Sequence, residues 1–178
     1  MPAEPLHWGH GPHLFEAFLE PTCPFSARAF PKLFELLALA GEDRVTVKIR
    51  LLSQPWHLFS PVITRAILGA STQGREAARQ VMEAVFAHRA EFEFDHHCEG
   101  PNLSATPLDI LARIEAVSGI KVTAPFGQHD LDKEMKWHAK YARQNGAHVT
   151  PTFMVNGLIR ADLGSGDPIE KWAEALGL

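Results

Sequence analysis

At Thr22-Cys23-Pro24-Phe25-Ser26 a long apolar stretch gives way, through a proline-flanked cysteine, to a helical pattern. This junction constrains the chain more than any other segment. The spacing Cys-x-x-Cys is a signature of dithiol redox chemistry, and here serine stands where the second sulfur would be. Far downstream, Val149-Thr150-Pro151-Thr152-Phe153 forms a second proline-centred segment. Between them, these two segments limit both the fold and the chemistry open to the chain.

Hydrophobic periodicity places the elements between them. His13 to Glu20 is apolar on both alternations except at Glu16, as suits a central strand covered on both faces. Pro24 fits a first helical position, and Phe30, Leu33, Phe34 and Leu37 continue an apolar stripe to Gly41, with Pro31 predicted to kink the helix. Arg44 to Leu52 alternates as a strand. Beyond Gln54 the pattern is helical for a long way. Ser60-Pro61 opens one segment, Ala77 to Phe86 marks a second, and Thr106-Pro107-Leu108-Asp109 starts a third with a capping hydroxyl. A fourth covers roughly 129–145. Strand character returns at Thr152 to Val155, Asn156-Gly157 signals a tight hairpin, and Asp167-Pro168-Ile169-Glu170 caps a last helix.

The chain is long enough for one core and a sub-domain. Its 46% hydrophobic and 21% charged residues are those of a globular protein, and its net charge of -4 argues against nucleic acid as a partner. No run of about 18 apolar residues exists to span a membrane. Met1 to His13 has no apolar segment of signal length, so a cytoplasmic location is expected. Two cysteines cannot make a disulfide framework.

In their order, Phe18 and Leu19 leading into Cys23-Pro24-Phe25-Ser26, Pro31 after them, and Thr150-Pro151-Thr152-Phe153 before Asn156-Gly157 resemble the DsbA-like branch of the thioredoxin superfamily. Its members are bacterial disulfide oxidoreductases with an inserted helical domain, and the likeness is greatest to those regarded as protein-disulfide isomerases. The resemblance implies an α/β thioredoxin fold from residues 1–54 and 146–178, interrupted by an all-helical sub-domain at 55–145. It further implies a cis Pro151 set against Cys23, with the Thr150 backbone offered to an extended substrate strand. Two departures stand out. The family's second cysteine is Ser26 here, and its buried proton acceptor has only an approximate counterpart in Glu16, seven residues before Cys23 rather than six.

A thiol reacts as thiolate, and a free one with a pKa near 8.5 is only about 3% ionised at pH 7. A helix N-terminus favours a neighbouring anion by about 0.3–1 kcal/mol. Hydrogen bonds to sulfur, from first-turn N–H groups and the Ser26 hydroxyl, would have to supply the rest. Attack on a disulfide gives a mixed disulfide that a second cysteine normally resolves from within. Serine cannot. Cys23 and Ser26 are therefore the candidate catalytic pair for monothiol exchange with protein or small-molecule thiols and disulfides.

Gln54-Pro55-Trp56-His57 follows a strand at the end of the sheet where ligands gather in α/β folds. Pro24, Phe25, Thr150, Pro151, Trp56 and His57 are thus the candidate substrate contacts, with plain packing the alternative for Trp56. His96-His97-Cys98 does not read as a metal set: adjacent histidines point apart, and no further ligand stands at metal spacing. Nor does the sequence place Cys98 near enough to resolve Cys23. No resident cofactor is expected. Two alternatives stay open, a glutathione-dependent transferase or isomerase of the kappa-class type, with glutathione as co-substrate, and a redox-inactive peptide-binding module. Pairing into a homodimer also stays open.

Overall fold

The computed structural model describes residues 2–178. Strands β1 (His7–Gly9), β2 (His13–Leu19) and β3 (Val45–Leu51), with β4 (Thr152–Val155) and β5 (Leu158–Ile159), form one sheet in the order β1-β3-β2-β4-β5. The doubly covered strand expected from His13 onward is the centre of that sheet. It runs parallel to β3 and antiparallel to β4, with Phe18 opposite both Arg50 and Thr152. The hairpin at Asn156-Gly157 has positive φ at both residues, 48° and 85°, as a type I′ turn demands. Asn156 also holds the neighbouring strand, exchanging bonds with Leu14: its Oδ1 accepts from Leu14 N–H, and its N–H donates to Leu14 C=O.

Side-chain alternation on the sheet separates two layers. Phe15, Ala17 and Leu19 of β2 and Val45 to Leu51 on alternate positions of β3 face α1 (Pro24–Ala40). On that side Phe15, Phe153 and Trp172 stack at centroid distances of 4.7–5.7 Å and bring in α7 (Ile169–Ala175). Each ring, fully buried, contributes about 1.5–3 kcal/mol of apolar stabilisation. α1 continues through Pro31 to Gly41, whose φ of 96° ends it.

The helices α2 (Ser60–Ser71), α3 (Arg75–Ala87), α4 (Pro107–Ser118) and the single turn α5 (Thr123–Phe126) pack against one another and reach α1 through Phe30–Phe86 at 5.1 Å. α4 begins with the full Thr106–Asp109 capping box. α6 (Leu131–Gln144) behaves differently. Its Tyr141 ring stacks on Phe18, and Phe18, Met154, Ala142 and Ala147 form a second small core on the sheet's other face. α6 thus covers this face of the sheet while also packing against α2. Among the described residues, no helix is long and apolar enough to cross a membrane.

This second layer also contains a buried histidine. His138 Nδ1 accepts the Leu51 N–H at 3.0 Å, which fixes a neutral ring, and burial together with the nearby Arg50 lowers its pKa to about 3. The unfolded chain binds a proton at the ordinary 6.5, so this contribution to stability is complete above that value and is lost as pH falls toward 3. We predict that wild-type protein loses about 3 kcal/mol more stability between pH 7 and pH 4 than His138→Gln does, measured by urea unfolding. Parallel pH profiles would contradict this.

Candidate functional site

The site is assembled where β2 runs out. Beyond Leu19 the chain turns through Glu20, Pro21 and Thr22, and Cys23 is the N-cap of α1 with Pro24 as the first helical residue. Proline has no N–H to lose there. The turn is fastened twice to the helix: Cys23 N–H donates to Glu20 C=O at 3.2 Å, and Ser26 Oγ accepts the Glu20 N–H at 3.1 Å. Ser26 is wholly buried, and among the described residues its hydroxyl makes no bond to the Cys23 sulfur. Here the hydroxyl fastens the strand-to-helix turn.

The Cys23 sulfur faces the other candidate segment. Cys23 Sγ lies 3.5 Å from the Thr150 carbonyl oxygen, and the Thr150–Pro151 peptide bond is cis. Cys23 is only 6% exposed, yet it forms part of a cavity of about 840 Å³. Pro24 and Phe25 border the cavity on the helix side, Trp56 and His57 on the loop after β3, and Val149 and Thr150 opposite. The sequence-predicted contacts therefore meet at one place, except that Pro151 itself lies outside the lining. Phe25, Trp56 and Val149 are each more than half exposed and give the mouth an apolar rim.

Glu16 is not in this site. It lies against α6, where Arg50 donates to Oε1 through Nε and Nη2 at 2.9 and 2.6 Å, and the Tyr141 hydroxyl donates to Oε2 at 3.0 Å. The Arg50 guanidinium also lies 4.6 and 4.8 Å from the ring centroids of Trp137 and Tyr141, which stack on each other at 5.0 Å. A carboxylate engaged on both oxygens, well short of Cys23 along the strand, is a clamp between sheet and helix.

Glu20 lies in the turn that leads to Cys23. It is wholly buried, accepts the Thr22 N–H at 2.9 Å and lies 2.9–3.0 Å from the Thr22 hydroxyl. The same hydroxyl is 3.0 Å from His57 Nδ1, and His57 Nε2 is 3.8 Å from the Glu20 carboxylate. One hydroxyl has one proton to give. With Glu20 ionised, Thr22 donates to it and accepts from His57 Nδ1–H, which sets the tautomer. Burial raises the Glu20 pKa above its ordinary 4.5 against the hydrogen bonds from Thr22 and Cys23 and the nearby Ser60 hydroxyl. Ser60 Oγ is buried without a well-formed partner of its own. Burial, then His97 and Arg89, lower the His57 pKa. A buried carboxyl and a cavity-lining imidazole are thus joined through Thr22, the residue before Cys23.

The cavity's far wall was not read as such from the sequence. It comes from residues 89–99, between α3 and α4, where the chain makes a hairpin with Asp95 bridged to Glu99. His96 and His97 occupy its tip with φ of 49° and 66°, the left-handed pair of a type I′ turn usually made by Asn-Gly. His97 packs edge-on against His57 at 5.2 Å. Nothing in a His-His pair announces such a turn. Glu20 left a clearer trace: it is a charged residue between an apolar strand and a proline, where burial of the strand continues. Cys98 is exposed and outside the lining, and both cysteines are free.

No protein-family model and no curated protein matches the chain. Among solved structures, a protein from Pseudomonas syringae named a putative protein-disulfide isomerase is 61% identical, with a TM-score of 0.96 and 98% of each chain covered. Pseudomonas aeruginosa DsbA2 superposes at TM-score 0.68 with 18% identity, covering 97% of this chain and 93% of its own. BdbD from Bacillus subtilis does so at 0.70 with 13% identity, covering 97% and 91%. The latter two speak for the fold alone.

Two consequences can be measured. Ser26→Ala leaves the buried Glu20 N–H without a partner, and a loss of about 1–3 kcal/mol in unfolding free energy is expected; an unchanged stability would show that the hydroxyl fastens nothing. Glu20 titrates with a raised pKa in the fold, so its favourable share of stability is present below 4.5 and is lost as pH rises through the folded value. Glu20→Gln does not titrate. Its melting temperature relative to wild type should therefore rise as pH increases above 4.5 and level off once the folded carboxyl has ionised, and a gap constant with pH would refute the assignment.

Proposed function

This chain belongs to the DsbA-like branch of the thioredoxin superfamily, and from that premise we propose that it exchanges thiols and disulfides through Cys23 alone. The coarser reading, a thiol–disulfide oxidoreductase or isomerase-like protein acting on thiol-bearing substrates, follows from the family. The finer one rests on Ser26. A hydroxyl bound to the Glu20 N–H stands where internal resolution would need a second thiol.

In the proposed reaction the Cys23 thiolate attacks one sulfur of a substrate disulfide. A Cys23–substrate disulfide forms, the substrate's own S–S bond breaks, and the second sulfur leaves as thiolate. That thiolate, or another on the same client, then attacks the mixed disulfide and releases Cys23. Each cycle consumes one disulfide and makes one, so no external oxidant or reductant is required. The Thr150 N–H has no partner among the described residues and is open to an extended chain laid across the sulfur. The first-turn amides beyond Pro24 have no intrahelical acceptor and stand ready to stabilise the anion.

The observation carrying this reading is the 3.5 Å approach of Cys23 Sγ to Thr150 O at the edge of an open cavity. A buried inert cysteine would not border one. Trapping with a cysteine-containing peptide disulfide should give one mixed disulfide per chain at Cys23, absent in Cys23→Ala and retained in Cys98→Ala. Restoring a second thiol with Ser26→Cys should confer insulin reduction with dithiothreitol, because residues three apart on a helix hold their Cα atoms about 5 Å apart, within disulfide range. A folded Ser26→Cys protein unable to form the internal bridge would refute the proposed placement.

A further inference from the structure

The cavity wall opposite Cys23 carries an excess of negative charge that the exchange chemistry does not use. Three carboxylates line it, those of Glu93, Asp95 and Glu99, against one guanidinium, Arg89. Arg89 is already committed to Glu93, with which it forms an ion pair. Asp95 and Glu99 have no ion pair and no side-chain hydrogen bond among the described residues, and neither is buried. Two carboxylates therefore face the cavity without compensation.

Their placement is built into the backbone. Asp95 and Glu99 are the bridged pair of the hairpin, each N–H donating to the other's carbonyl at 2.9 Å. Residues directly opposite in an antiparallel pair project to the same side, where like charges destabilise one another. The Asp95 carboxylate lies over Gly100, at φ 95°, in space that an added Cβ would take, 2.6 Å from Oδ2. The hairpin thus holds two repelling charges on the side that looks toward the sulfur. A cation on the substrate relieves that repulsion. His57, His96 and His97 share the cavity with them.

Resting on the thiol-exchange reading, we infer that the site selects disulfides flanked by positive charge, a cysteine beside lysine or arginine in an extended polypeptide, and discriminates against anionic ones. Glutathione is of the disfavoured kind, since its oxidised form carries a net charge of about -2 near neutral pH by the ordinary values of its groups. The apolar rim of Phe25 and Trp56 tolerates the rest of a chain of either charge. Selection therefore acts through the electrostatics of approach and binding, and it weakens as salt screens it. The reaction remains the one described: the Cys23 thiolate displaces one peptide thiolate and no net oxidation occurs.

The test measures second-order rate constants for mixed-disulfide formation at pH 8, with pentapeptide disulfides whose cysteine is flanked by lysines or by glutamates, and with oxidised glutathione. At low ionic strength the lysine peptide should react about tenfold faster than the glutamate peptide and than oxidised glutathione. The ratio should fall toward one in 0.5 M NaCl, and in the double variant Asp95→Asn, Glu99→Gln at low salt. Equal rates for the two peptides in wild type, or a preference untouched by the double variant, would overturn the charge selection and leave thiol exchange standing. Failure of Cys23 to form a mixed disulfide with any of the three would overturn the exchange reading itself.

Discussion

The antiparallel pairing of β2 with β4 is the constraint on which the site depends. With Phe18 opposite Thr152, the chain leaving β2 and the chain entering β4 emerge at the same end of the sheet. Cys23 lies a short turn beyond one and Thr150 just before the other, and the 3.5 Å approach of sulfur to carbonyl follows from that register. A slip of one residue would turn every side chain of the pair to the opposite face. Phe15 would leave the Trp172 stack, and Glu16 would be driven into the larger core. Hydrophobic alternation on the central strand thus positions a reactive group that it never touches.

Two buried carboxylates show how the same strand serves different ends. Glu16 and Glu20 are four residues apart, yet one meets Arg50 and Tyr141 and the other meets Thr22 and His57. Pairing with a cation makes Glu16 a structural clamp. Lacking one, Glu20 has its pKa pushed up by burial, and it is tied by a shared hydroxyl to an imidazole that borders the reaction space. The inserted helices complete that space from the other side, since the hairpin following α3 supplies the wall that faces the sulfur.

Much of this was legible in the residues. Strong local signals marked the main helices, from the Thr106–Asp109 box to the apolar stripes of α3 and α6, and Asn156-Gly157 marked the hairpin. The strand at His7–Gly9 was not legible, because three residues beside glycines give no alternation; it exists through pairing with β3 and burial of Trp8. That α6 lies over the sheet was not legible, because periodicity tells which face of a helix is buried, not what covers it. Glu16 was singled out by its position in the family pattern, and its engagement with Arg50 and Tyr141 depends on tertiary partners that the pattern does not carry. The hairpin at His96–His97 is a tertiary matter: left-handed histidines are held by the Asp95–Glu99 bridge, and no local propensity favours them.

The most direct test of single-thiol action compares two clients of the same protein, one with scrambled disulfides and one fully reduced, each incubated with catalytic amounts of this chain without added oxidant. The account predicts recovery of native pairing from the scrambled client once a trace of client thiol is present, and no net loss of thiols from the reduced one. Stoichiometric oxidation of the reduced client by the isolated chain would contradict it, because that requires a disulfide which Cys23 and Ser26 cannot form.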